Sequence, residues 1–170
     1  MSLLIIGGFK RMSIGNARLS LLVCLLFGSA AMAGEETVIA LEKVPESIQS
    51  VAKELLLNAG FKTANIETED DGTLVYEIQG VLEDGRKVEV DVLENGSVQE
   101  FEVEFTKNLV PGAVLKAIEK KLPGFEPIYI EASHSASKKV VQYEFVGEFG
   151  GRELDIEVSA SGRRIEIGDQ

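Results

Sequence analysis

Five carboxylates at alternating positions have the residue types and spacing of a charged binding surface. Glu89 and Asp91 lie two residues apart, and Glu100, Glu102 and Glu104 follow with the same period of two. That period places side chains on one face of a β-strand. Carboxylates on facing strands repel each other, and a cation or a basic partner relieves the repulsion. We therefore predict these five as partner-binding residues. The alternative, a solvated face that keeps the protein soluble, stays open.

Groups for covalent or metal chemistry are few. The chain has one cysteine, Cys24, and one histidine, His134. These numbers argue against structural zinc, a disulfide scaffold and a Cys–His nucleophile. His134 lies in the polar stretch Ser133–Ser137, which predicts a surface loop and not a Ser–His–acid site. We predict no catalytic residues, no metal site and no cofactor, and so a protein that is not an enzyme.

The stretch Glu67–Gly72 has acidic residues at relative positions 1, 3 and 5 and glycine at 6, as in an EF-hand. An EF-hand also needs a bidentate glutamate at the twelfth position, where this chain has Ile78. The stretch therefore predicts a hairpin turn. Weak calcium binding by clustered carboxylates remains open.

The five carboxylates can share a face only if their strands pair, and the apolar alternation predicts those strands. Glu94-Asn95-Gly96 predicts a tight hairpin turn, because Asn-Gly is a strong signal for a two-residue turn. Glu83-Asp84-Gly85 predicts another turn. The predicted strands lie around residues 74–78, 88–92, 101–105, 141–145, 154–158 and 165–167, with further strands starting near Ile66 and Ile128.

A helix is predicted ahead of each group of strands. Pro45 and Pro111 suit a first helical turn, where a missing N–H does no harm. Apolar residues then recur every three to four positions. Asn58 and Gly60 predict the end of the first helix, and Pro123-Gly124 predicts the end of the second.

Similar segments recur along the chain at nearly constant offsets, which predicts an internal duplication. The predicted fold class is α+β, with two tandem repeats, each one helix packed on a three- to four-stranded antiparallel sheet. The repeats span 44–109 and 110–170. The matching pairs, at an offset of 66 or 67, are Val44-Pro45 with Val110-Pro111, Tyr76–Gly80 with Tyr143–Gly147, Gly85-Arg86 with Gly151-Arg152, and Glu89–Val92 with Asp155–Val158.

Charge narrows the classes of partner. The 170 residues include 17 Lys and Arg against 28 Asp and Glu, for a net charge of −11. This balance argues against nucleic acid, whose phosphates require clustered basic residues. The charge is uneven, since 44–109 carries −10 and 110–170 carries −2. Such a difference in charge is expected if one repeat binds a partner that the other does not bind. Sequence drift without a functional cause would produce a similar difference.

The first 33 residues have the pattern of a secretory signal peptide. Lys10, Arg11 and Arg18 precede the apolar run Leu19–Phe27, and Ala31-Met32-Ala33 is a small-x-small cleavage site. We predict a signal peptide over 1–33, with Met1 or Met12 as its start, and a linker over 34–43. The exported chain, 34–170, is then periplasmic or secreted and not held in the membrane.

The repeated residues resemble the PepSY-like and β-lactamase-inhibitor-protein-like group. The resemblance rests on the matching pairs given above and covers about 44–167. It implies a binding role, often inhibitory, toward secreted enzymes, and it brings no catalytic residues. We therefore predict an exported, non-enzymatic binding module for a protein or peptide, such as a modulator or inhibitor of a secreted peptidase or other envelope enzyme. The alternative is an acidic calcium- or cation-binding or sensing protein of the envelope.

Overall fold

The computed structural model describes residues 36–69 and 71–169. The predicted signal peptide lies outside the described residues. Within them lie nine strands, two α-helices and two 3₁₀ turns, at 41–43 and 107–109. The elements are β1 (Glu36–Ala40), α1 (Glu46–Leu55), β2 (Ala59–Thr68), β3 (Leu74–Leu82), β4 (Lys87–Leu93), β5 (Val98–Glu104), α2 (Gly112–Lys121), β6 (Tyr129–His134), β7 (Val140–Phe149), β8 (Arg152–Ser159) and β9 (Ile165–Asp169).

The strands form one continuous antiparallel sheet in chain order from β1 to β9. The predicted fold class, two tandem repeats with one helix on a separate three- to four-stranded sheet each, is therefore wrong. The overturning contact is the pairing of β5 with β6, in which Phe101 faces His134 and Glu104 faces Glu131. Two separate sheets would each leave a row of unpaired N–H and C=O groups at an edge, and this pairing satisfies them.

Each helix begins directly after a proline, as predicted. Pro45 and Pro111 hold the N-cap positions of α1 and α2 in extended backbone conformation. Helix α1 ends before the predicted stop, because Leu56 leaves helical geometry and the chain enters β2 at Ala59. Gly60 consequently lies in a strand. Helix α2 ends just before the predicted Pro123-Gly124 stop.

The core consists of two apolar clusters on one face of the sheet. Ile48 and Ala52 of α1 pack on the first cluster, which includes Ile78 and Val90. The second cluster is the equivalent under α2 and includes Val114, Ile118, Phe145 and Ile156. Each fully buried aliphatic or aromatic side chain stabilises the fold by about 1.5–3 kcal/mol. Phe105 packs against both clusters and so joins them.

The predicted hairpin turns are confirmed. Gly85 and Gly96 have φ angles of 87° and 81°, a left-handed conformation that favours glycine. The side chains of Asp84 and Asn95 each accept a hydrogen bond from the backbone N–H two residues on, at 3.2 and 2.8 Å. The turn before β3 is also a hairpin turn, since Glu69 N–H donates to Thr73 O at 2.8 Å. These turns fix the register that brings the carboxylates together.

Neither helix in the described part of the chain has the length and apolar character that crossing a bilayer would require.

Candidate functional site: an acidic sheet face

The sheet face opposite the helices carries a band of carboxylates, which we call the acidic face. Strand alternation puts these side chains there, because the residues between them point into the helix-covered core. The five predicted residues all lie on it, with Glu89 directly opposite Glu102 and Asp91 opposite Glu100. The acidic face comprises Glu77, Glu89, Asp91, Glu100, Glu102, Glu104, Glu131, Glu144, Asp155 and Glu157.

Burial separates the five predicted residues into two groups. Glu89 and Asp91 are 7% exposed and Glu102 is 4% exposed. Glu100 and Glu104 are only partly buried. A partner that docks without rearrangement therefore reaches Glu100 and Glu104 and does not reach the other three.

The acidic face continues into the second half of the chain. Glu104 faces Glu131, Glu131 faces Glu144, and Glu144 faces Glu157 across β5 to β8. Glu131 and Glu144 are as buried as Glu102. Sequence reasoning missed them as site residues. The sequence does indicate which face of the strand they occupy, because each carboxylate lies between two apolar core residues. It does not indicate which strands are neighbours in the sheet.

Neutral donors hold some of the carboxylate oxygens. Ser133 Oγ donates to Glu102 Oε1 at 2.9 Å, and the Tyr129 hydroxyl donates to Glu131 Oε2 at 2.8 Å. Gln79 Nε2 donates to Glu89 Oε2 at 2.7 Å. These contacts fix the orientation of each carboxylate, because a hydrogen bond to a charged acceptor is stronger than one between neutral groups.

Other buried oxygens accept no hydrogen bond from any described residue. They include Glu102 Oε2, Glu131 Oε1, Asp91 Oδ1 and Asp155 Oδ1. Leaving a buried polar atom unsatisfied costs about 1–3 kcal/mol, and more when the group is charged. Native structures seldom retain such atoms without a functional reason.

Cations lie at the rim of the acidic face. Lys87 Nζ is 5.5 Å from the centroid of the Tyr129 ring, and Arg164 lies 3.6 Å from Glu166 at the β9 end. Among the described residues, no lysine or arginine forms an ion pair with Glu102, Glu131 or Glu144. The negative charge at the middle of the face is therefore not compensated by basic side chains.

Burial raises the carboxyl pKa values across the acidic face. It raises the pKa of Glu131 to about 7, and burial together with Asp155 and Glu131 raises that of Glu144 to about 9. Burial raises the pKa of Asp155 to about 6. The pKa values of Asp91 and Glu102 are raised well above their ordinary range, by burial first and then by neighbouring carboxylates. At neutral pH Glu144 therefore holds its proton, and Glu131 is about half protonated.

Glu102, Glu131 and Glu144 form the tightest cluster, which we call the carboxylate trio. One oxygen from each lies within 4.8 Å of the other two. The three side chains come from the neighbouring strands β5, β6 and β7. Their chemistry, three oxygen donors at short range, fits a hard metal cation.

His134 is not in a surface loop, so that prediction is wrong. It ends β6, and its ring stacks on Phe101 with the centroids 4.6 Å apart. Its Nδ1 lies 2.7 Å from the carbonyl oxygen of Ala132, and burial lowers its pKa. Phe101 belongs to the helix-covered core. The imidazole is thus on the opposite face of the sheet from the carboxylates.

Comparison with known proteins agrees with this fold. The family model described as peptidase propeptide and YPEB domain, PepSY_2, matches residues 18–98. A BLIP-like protein from Bacteroides fragilis has 22% identity and a TM-score of 0.56, over 74% of this chain and 85% of that chain. A DUF2874 family protein from Bacteroides uniformis has 14% identity and a TM-score of 0.56, over 74% and 89%. No curated protein matches the chain.

The family model and the solved structures point to the same fold. An antiparallel sheet with both described helices on one face is the architecture shared with the two solved structures. The family model and the two solved structures confirm the resemblance to the PepSY-like and β-lactamase-inhibitor-protein-like group that was predicted from the sequence.

Proposed function

We propose that the chain is an exported, non-enzymatic binding module that engages a protein or peptide through the acidic face. The observation that carries this proposal is the position of that face, which lies opposite both described helices. At Glu102, Glu131 and Glu144 it holds carboxyl groups that form no ion pair with a described lysine or arginine. The specific form is a modulator or inhibitor of a secreted peptidase or other envelope enzyme.

Charge defines the chemistry of the partner. A basic segment of an enzyme surface supplies the lysine and arginine groups that the centre of the acidic face lacks, and opposite potentials speed association and fix orientation. Glu100 and Glu104 are the first contacts, because they are partly exposed. The buried carboxyl groups behind them do not touch the partner.

The comparisons with known proteins support a role in binding a peptidase or another enzyme. The matching family is described as a peptidase propeptide domain, and one solved relative is described as BLIP-like. Export rests on the signal peptide predicted over 1–33, and the organisation into a 34–43 linker and segments 44–109 and 110–170 rests on the sequence pattern. A hydrolytic role is disfavoured, because the one histidine lies on the face opposite the carboxylates.

Inhibition of purified secreted peptidases tests the proposal. The full chain is expressed, and the purified protein is mixed with thermolysin-type and other exported peptidases while substrate turnover is followed. We expect slower turnover with at least one enzyme, and weaker inhibition at high salt, since exposed charges are screened. Unchanged turnover with every peptidase, together with no binding to any of them by surface plasmon resonance, would reject the peptidase form.

A matched pair of variants locates the surface. Replacing Glu100 and Glu104 with glutamine removes two charges from the acidic face, and replacing Glu54 and Glu119 removes two charges from exposed positions on the helices. We expect only the first variant to lose affinity. Equal loss in both variants would indicate a net-charge effect and not a defined surface.

The alternative function, binding of calcium or another cation, is favoured by a separate observation, the geometry of the carboxylate trio.

A further inference from the structure

The carboxylate trio combines close approach with deep burial. Glu102, Glu131 and Glu144 are 4%, 5% and 3% exposed, and one oxygen of each lies within 4.8 Å of the others. Among the described residues, no basic side chain forms an ion pair with them. Like charges held this close in a poorly solvated place destabilise the fold unless a proton or a cation is present.

Buried oxygens without donors are a second observation that points to a ligand. The Ser133 and Tyr129 hydroxyls satisfy one oxygen each of Glu102 and Glu131. The remaining oxygens, Glu102 Oε2 and Glu131 Oε1, are buried and accept no hydrogen bond from a hydroxyl, amide or basic group of the described residues. The two carboxyl groups lie within hydrogen-bonding reach of each other, and one can donate to the other only while it holds a proton.

A further carboxylate, outside the trio, also has a buried oxygen without a hydrogen-bond donor. Asp155 is 8% exposed, and its Oδ1 also has no donor among the described residues. Its carboxyl group lies within hydrogen-bonding reach of that of Glu144. The trio and this neighbour therefore present several oxygens to one small region, in which the described residues supply too few donors.

We propose that Glu102, Glu131 and Glu144 bind one calcium ion, with Asp155 as an adjacent oxygen donor. Calcium accepts six to eight oxygen ligands at about 2.3–2.6 Å in irregular geometry, so its opposite ligands are up to about 5 Å apart. Magnesium demands near-ideal octahedral geometry and keeps several waters, which a buried site does not favour. Zinc sites mostly use nitrogen and sulfur ligands, and this trio has neither.

The proposed calcium site lies where the two halves of the sheet meet. The trio spans β5, β6 and β7, and the β5–β6 pairing joins the two halves of the sheet. A cavity of about 220 Å³ lies on the acidic face at β8 and β9 and borders Asp155, the adjacent oxygen donor. Calcium therefore stabilises the junction between the halves. This inference does not rest on the proposed partner binding.

Calorimetric titration tests the site directly. The full chain is expressed, and the purified protein is stripped with EDTA, dialysed, and titrated with calcium chloride at about pH 8, because metal binding must displace protons from carboxyl groups. We expect one ion per chain and a melting temperature that rises with calcium concentration, since a ligand of the native state stabilises it. We expect magnesium chloride to bind at least tenfold more weakly.

Isosteric variants locate the ion. Glu131→Gln and Glu144→Gln each keep side-chain size and remove one ligand charge, and we expect each to weaken calcium binding at least tenfold. Glu153→Gln is the matched control, because Glu153 is exposed and faces Glu148 on the same side of the sheet. Circular dichroism checks that each variant is folded. Undiminished calcium binding in both trio variants would overturn the assignment and place the ion elsewhere, for example at the Glu67–Gly72 turn.

Terbium luminescence gives a second readout that does not depend on a trio variant. Terbium also prefers oxygen ligands, and a tyrosine beside the ion sensitises its emission. Tyr129 donates its hydroxyl to Glu131 at 2.8 Å and so lies next to the proposed ion. We expect emission on excitation of tyrosine, displaced by calcium and reduced in Tyr129→Phe. No heat, no change in melting temperature and no sensitised emission would reject the calcium site, and would assign the neutralisation of the trio to protons alone.

Discussion

Phe145 and Glu144 are neighbours in β7 and both are almost fully buried, at 0% and 3% exposure, yet on opposite faces of the sheet. Phe145 packs in the apolar cluster under α2, among side chains that have no need of hydrogen bonds. Glu144 lies among Glu131, Asp155 and Glu157. The same sheet thus contains two kinds of buried layer. One stabilises the fold at any pH, and the other makes stability depend on protons and cations.

The largest expected effect comes from truncating the apolar layer. Phe145→Ala removes a fully buried ring and leaves a cavity, which costs about 3–5 kcal/mol of unfolding free energy. Urea denaturation at acidic and alkaline pH measures the loss, and we expect it to be nearly the same at both. A loss that varies strongly with pH would mean that the two layers are coupled and that the comparison fails.

The second prediction concerns the acidic layer in the wild-type protein. The folded pKa values of Asp155, Glu131 and Glu144, at about 6, 7 and 9, lie above the ordinary 3.8 and 4.5. Between those limits the native state binds more protons than the unfolded state, so stability falls as pH rises. Urea midpoints in EDTA should therefore be higher at about pH 5 than at about pH 8.5. Equal midpoints, or a higher one at the alkaline pH, would contradict this.

A single substitution at Glu144 should change how stability depends on pH. Glu144→Gln removes the group whose pKa is about 9. Each pKa unit corresponds to about 1.4 kcal/mol, so we expect the variant to be more stable than wild type at about pH 8 by on the order of 1 kcal/mol or more. The slope of stability against pH should also decrease. A destabilised variant with an unchanged slope would show that Glu144 is ionised in the native state.

The smallest effect is expected at the edge of the acidic layer. Glu166 is exposed, and its ion pair with Arg164, at 3.6 Å, is exposed as well. Such pairs contribute about 0–1 kcal/mol, so Glu166→Gln should change stability by less than that at any pH. Thermal denaturation of both proteins at matched pH measures the difference, and a shift as large as that of Glu144→Gln would show that exposure does not separate the two positions.

The sequence predicted most of the elements and the face that each side chain occupies. The alternation of Val88, Val90 and Val92 with Glu89 and Asp91 is enough to orient β4, and Asn95-Gly96 is enough to pair it with β5. Strand β1 was missed, because five residues in the predicted 34–43 linker give too short a pattern. Turn signals and periodicity depend on residues that are close in sequence, so they correctly predicted the strands and the hairpins between consecutive strands.

The continuous sheet and the burial of its carboxylates could not be predicted in the same way. Strand β6 follows β5 only after α2 and its flanking loops, so no turn signal specifies that the two strands pair. Unless that pairing is known, nothing places Glu131 near Glu102, and the sequence predicts that both side chains are exposed. The same gap explains the prediction of separate sheets and the omission of Glu131 and Glu144 from the predicted site.

Raised carboxyl pKa values distinguish a buried acidic face from an ordinary charged surface. Carboxyl-carbon NMR, recorded on EDTA-treated protein over a pH titration, follows Glu131 and Glu144 individually. We expect Glu131 to titrate near pH 7 and Glu144 near pH 9. Titration of both residues near the ordinary 4.5 would contradict this expectation, because the carboxylates would then be solvated and the acidic face would be no more than a charged surface.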